Sequence, residues 1–107
     1  MQLQGASGTG AITGTGGVLV LNGQCARVTF VVEATTGTTT GAVSLEEAYW
    51  VPGTPAYAGI WSQIQSVSVT TGAQTVVHVQ ASAWAVRARI TTAIGATGTV
   101  NVWAWGN

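Results

Sequence analysis

Residues 84–105, WAVRARITTAIGATGTVNVWAW, decide how the rest of the chain is read. Apolar and polar residues alternate with period two, the signature of strands rather than of a helix. The stretch predicts two strands joined by a turn at Gly95 and Gly98. Val86, Ala88, Ile90, Val100, Val102 and Ala104 form one face. Arg87, Arg89, Asn101, Trp103 and Trp105 form the other. A sheet in an isolated domain usually sets an apolar face against a polar one. Here the second face carries two tryptophans and two arginines, residue types enriched at the centres of protein–protein interfaces. The expectation is a surface covered by another subunit, with Trp103, Trp105, Arg87, Arg89 and Asn101 at the contact.

The same alternation runs through the chain. The segment 17–22 (GVLVLN) reads as a short strand with an Asn22-Gly23 hairpin turn. Next, 24–34 (QCARVTFVVEA) places Val28, Phe30 and Val32 inward, leaving Arg27, Thr29, Val31 and Glu33 outward. Further strands are expected over 42–48 (AVSLEEA), 60–70 (IWSQIQSVSVT) and 75–82 (TVVHVQAS). β-Branched residues dominate and no apolar spacing of 3.6 appears, so no helix is expected. Short strands separated by turn signals predict an all-β fold, an antiparallel β-sandwich or jelly roll of about seven to eight strands. The sandwich is expected over residues 17–107. Residues 1–16, MQLQGASGTGAITGTG, are small, uncharged and glycine-rich, which predicts a flexible arm reaching a neighbouring subunit.

Composition sharpens the functional reading. With 107 residues the chain makes one domain with a single core. Only 6% of residues are charged, against about a quarter in ordinary soluble domains. There is no lysine or aspartate; the charges are Arg27, Arg87, Arg89, Glu33, Glu46 and Glu47, which sum to zero. A neutral, charge-poor surface self-associates readily, so an assembly that buries part of it is expected. Three separated arginines do not make the clustered positive field that nucleic acid requires. The first residues lack the basic and apolar regions of a signal peptide, so synthesis and use without export is expected. No uninterrupted apolar run is long enough for a membrane span.

Catalytic chemistry has few candidates. His78 is the single histidine and Cys25 the single cysteine, so one chain offers no histidine-based metal set and no internal disulfide. Glu46 and Glu47 are the one adjacent carboxylate pair. Neighbours on a strand point to opposite faces, so they do not form an acid–base couple unless the strand bulges. One of them then points toward the core side, where an unpaired carboxylate is costly, and Arg87 or Arg89 is the natural partner. A structural ion pair among Glu46, Glu47, Arg87 and Arg89 is expected, with no enzymatic activity and no cofactor. The irregular stretch 49–59, YWVPGTPAYAG, brings Tyr49, Trp50 and Tyr57 close in sequence to Trp61. Loops on a β scaffold often carry binding residues, and these rings could stack on a sugar or pack on a neighbour.

Several motifs in residues 42–107 resemble a group of small tailed-bacteriophage β-sandwich proteins. They are VSLEEA (43–48), WSQI (61–64), VVHVQAS (76–82), AVRARIT (85–91) and GTVNVWAW (98–105). The chain departs from that pattern at VPGTPAYAG (51–59), where an Asp-Gly turn is usual. The resemblance implies a jelly-roll-like virion module of the capsid decoration, or cement, type. Such a protein sits on the outside of a tailed-phage head and stabilises contacts between capsid subunits. Its implied partners are the major capsid protein and further copies of itself, with a trimer favoured over a dimer. The alternative is an accessory module of a tail fibre or baseplate, which the resemblance also implies, or a carbohydrate-binding one, for which Tyr49, Trp50, Tyr57 and Trp61 are the candidates.

Overall fold

The computed structural model describes residues 1–7, 12–21, 27–34, 41–48, 61–69, 74–80, 85–94 and 98–106. They form eight strands: β1 (Gln2–Ser7), β2 (Ile12–Val20), β3 (Arg27–Ala34), β4 (Ala42–Ala48), β5 (Ser62–Ser68), β6 (Gln74–Gln80), β7 (Ala85–Ile94) and β8 (Thr99–Gly106). No helix occurs among the described residues, so none is long and apolar enough to cross a membrane. Two four-stranded antiparallel sheets face each other. Sheet I has the order β1-β8-β3-β6 and sheet II the order β2-β7-β4-β5.

This order is that of a rolled ribbon. The first four strands pair with the last four in reverse, β1 with β8, β2 with β7, β3 with β6 and β4 with β5. The β3–β8 and β4–β7 ladders then close each sheet. An eight-stranded double sheet wound in this way is a jelly roll.

Alternation explains why these segments become strands. In β3, Val28, Phe30, Val32 and Ala34 are buried while Arg27, Thr29, Val31 and Glu33 face out. In β8, Val100, Val102 and Ala104 are buried between outward-facing residues. Sheet II contributes Val43, Leu45, Val67, Val86, Ala88, Ile90 and Ile94 to the same core, with Ile64 and Leu19 packed at its margin. Phe30, the chain's one phenylalanine, is fully buried in it. Burying a side chain of that size contributes about 1.5–3 kcal/mol.

Two expectations are corrected here. Residues 84–105 do not form a hairpin, because β7 lies in sheet II and β8 in sheet I. The inward residues of both strands are as the alternation predicts, but the two outward rows lie on opposite sides of the sandwich. For the same reason β2 and β3 are not hairpin partners; β2 pairs with β7. Strand alternation fixes which side chains point inward and is silent on which strand lies alongside.

Residues 1–16 are the second correction, since β1 and the first part of β2 fall within them. The Met1 carbonyl accepts from the Ala104 amide at 2.9 Å, and the Met1 ammonium donates to the Ala104 carbonyl at 2.9 Å. Leu3 is buried at 2% exposure, so a single large apolar side chain pins β1 to the core. In β2, the register against β7 shifts between Thr15 and Val18, where Gly16 and Gly17 lie. Glycines that suggest flexibility in the sequence here mark a bulge in a paired strand.

Candidate functional site

The residues expected at one interface occupy two separate surfaces. On the outer face of sheet II, Glu46 lies directly across from Arg87 and Ser44 across from Arg89. The Glu46 carboxylate accepts from Arg87 Nε at 2.7 Å through Oε1. Its Oε2 accepts from Arg89 Nη2 at 3.1 Å and Nε at 3.2 Å. The Ser44 hydroxyl lies 3.0 Å from Glu46 Oε2 and 2.9 Å from Gln63 Oε1. One hydroxyl proton serves one acceptor at a time, and the carboxylate is the stronger. Gln63 completes the chain when its amide turns to donate to the Ser44 oxygen.

The Arg87 guanidinium also lies over the Trp61 ring, 4.2 Å from its centroid, in a cation–π contact. Burial alone would raise the Glu46 pKa. Hydrogen bonds from Arg89, Arg87 and Ser44, with the charge of Arg87, outweigh that and hold it below its ordinary value. No buried side-chain nitrogen or oxygen lacks a partner among the described residues.

This cluster is a structural clamp. Its ion pairs both go to Glu46, and Glu47 joins neither among the described residues. Glu46 points outward, yet it is buried beneath the two arginines. The β4–β5 register shifts between Leu45 and Glu46, where the partner steps from Gln65 to Gln63. That bulge lets Gln63 oppose Glu46. Arg87 and Arg89 therefore have their principal partner within the chain and do not share a surface with Trp103 and Trp105.

The outer face of sheet I has a different character. Its rows follow from register. Val76, Val31 and Trp103 lie side by side across β6, β3 and β8, with Gln2 of β1 beyond. The next row is His78, Thr29 and Trp105, and the row on the other side is Gln74, Glu33, Asn101 and Gly5. Trp105 is 51% and Val76 49% exposed, and Val31 and Trp103 are partly so.

Polar contacts frame this apolar centre. Thr29 Oγ1 lies 3.0 Å from His78 Nδ1, and Gln74 Nε2 donates to Glu33 at 3.4 Å. Gln2 Nε2 donates to Asn101 Oδ1 at 3.0 Å. Exposed apolar side chains occurring singly are ordinary, whereas a contiguous set rimmed by polar groups marks a contact surface. Asn101, Trp103 and Trp105 lie on this face; Val31 and Val76, its other apolar members, join them through β3 and β6.

The remaining candidates divide by position. Trp61 is described and lies beneath Arg87, while Tyr49, Trp50, Tyr57 and Cys25 lie outside the described residues. Among the described residues no three of His, Cys, Asp and Glu converge on a point that could hold a metal ion.

No family model and no curated protein matches the chain. A solved structure does: the PBSX exported protein XepA, at a TM-score of 0.55 and 19% identity. The match covers 100% of this chain and 37% of that one, so the chain spans little more than a third of its neighbour's length. At this identity the likeness is one of fold.

Proposed function

We propose that this chain is a structural virion protein of a tailed phage, a capsid decoration protein. It binds the outside of the head, where it stabilises contacts between capsid subunits, and it works as a homo-oligomer without a cofactor or a catalytic step. One observation carries the reading: the contiguous apolar centre Val76–Val31–Trp103, with Trp105, on the outer face of sheet I. Covering it removes apolar area at about 25 cal/mol per Å² before the cost of association. The fold shared with the PBSX exported protein XepA is compatible with that role.

The test is sedimentation of purified protein with undecorated heads. Recovery in the head pellet at micromolar protein, and a measurable gain in head stability, is the expected result. Its absence from the pellet contradicts the reading. A second reading is an accessory module of a tail fibre or baseplate. It is favoured by the coverage of 37% of a longer neighbour, which shows a unit of this size as part of a larger chain. Pelleting with tails but not with heads would select it.

A further inference from the structure

We propose, building on that assembly role, that the outer face of sheet I is covered by a second copy of this chain related by a two-fold axis. The argument is the placement of charge around the apolar centre. Arg27 and Glu33 lie at opposite ends of the outward row of β3, with Thr29 and Val31 between them. Six residues of strand separate them by about 20 Å, too far to pair within one chain. Arg27 is exposed and makes no ion pair among the described residues; Glu33 accepts only the 3.4 Å contact from Gln74 among the side-chain bonds there. The face thus carries one free charge of each sign, placed symmetrically about its centre.

A self-complementary surface needs that arrangement. Let the axis lie between two facing copies, run across the strands, and pass between the levels of Thr29 and Val31. Each β3 then lies antiparallel over its counterpart. Arg27 of one copy meets Glu33 of the other, and the reverse pair forms at the far end. Trp105, level with Thr29, meets the other copy's Trp103, level with Val31, so four indoles close the centre. His78 meets Val76, and Gln80 meets Gln74. Packed sheets cross at roughly 30°, which moves the end residues by about 5 Å, within reach of an arginine side chain. A three-fold ring would join two different patches of each copy and leave this internal symmetry unused, so the two-fold replaces the expected trimer.

Size sets the strength. Four strands about 4.8 Å apart and about 20 Å long give roughly 400 Å² per copy. The total of about 800 Å² lies below the standard range for stable complexes. The isolated dimer is therefore weak, with a dissociation constant in or above the micromolar range. Side-by-side display on a shell raises the effective concentration far above that.

The experiment is sedimentation velocity of the full chain from about 5 to about 500 µM, on the wild type, Arg27→Glu, Glu33→Arg and the double exchange. Thermal melts run alongside; Arg27 is exposed and Glu33 half-buried, so the melts separate a change at the seam from a loss of fold. The wild type shows a monomer–dimer equilibrium. Each single exchange sets two like-charged contacts at the seam and weakens it by about tenfold or more. The double exchange restores it to near the wild-type value. A monomer at every concentration, a dimer indifferent to the single exchanges, a double exchange that fails to restore it, or a trimer or larger ring each overturns the proposal. Head-binding by the same variants keeps the two readings apart. If the dimer fails and heads still bind, the decoration role stands and the occupant of this face is wrong; a charge-swappable dimer that ignores heads leaves the two-fold in place and removes the decoration role.

Discussion

Replacing Glu46 with glutamine isolates the one ion-paired cluster among the described residues. The Glu46 side chain is 6% exposed, while Arg87 is 20% and Arg89 44% exposed. Breaking a fully buried pair costs about 3–5 kcal/mol; losing an exposed one costs about 0.2–1 kcal/mol. Glu46 sits near the first limit and Arg89 near the second. The amide keeps the side chain's shape and one acceptor, so the expected loss is about 2–3 kcal/mol. In a domain of this size that lowers Tm by about 10 °C. Glu47→Gln, at a site outside both ion pairs, leaves Tm within about 2 °C.

Acid weakens the cluster by protonating its carboxylate. The folded carboxyl of Glu46 titrates below its ordinary value of 4.5, so the unfolded chain takes up this proton first as pH falls. The stabilisation is complete above about pH 4.5 and is lost as pH drops through the folded value. The Tm gap between wild type and Glu46→Gln therefore narrows in acid. Scanning calorimetry of both proteins from neutral pH downward measures it. A gap under about 2 °C at neutral pH, or one that widens in acid, would refute the clamp.

Two further outcomes follow from the packing. Deleting residues 1–7 removes β1 and Leu3, uncovers the flank of β8, and abolishes the cooperative melt by circular dichroism; a truncated chain with unchanged Tm would show that β1 pairing is dispensable. Gly41→Ala places a Cβ 2.7 Å from Ile94 Cδ1 and 3.3 Å from Val69 Cγ2, at a φ of +145°. Both neighbours are core residues, so about 1–3 kcal/mol of stability is lost, read as a lower urea midpoint at constant m.

What the sequence disclosed follows from what alternation encodes. Inward and outward positions of β3, β7 and β8 were legible, because a period of two assigns each side chain a face. Strand partners were not legible. In a jelly roll most consecutive strands change sheets, and nothing in WAVRARITTAIGATGTVNVWAW shows that its halves part company. The error put Arg87 and Arg89 beside Trp103 and Trp105 and hid Val31 and Val76 from them. The Glu46 partnership with both arginines could be anticipated from the cost of an unpaired carboxylate, although its choice over Glu47 depends on register. Residues 1–16 were misread for a physical reason: their strands are held by backbone pairing and one leucine, which composition does not report.

Oxidative footprinting by hydroxyl radicals, with peptide mass spectrometry, reaches the central claim most directly. It compares Trp105 and Trp103 in dilute protein and in protein assembled on heads. The account predicts ready oxidation of Trp105 when dilute and several-fold protection of both rings on the particle. Equal oxidation of Trp105 in the two states would mean that the outer face of sheet I stays open to water in the assembly, and the account would fail.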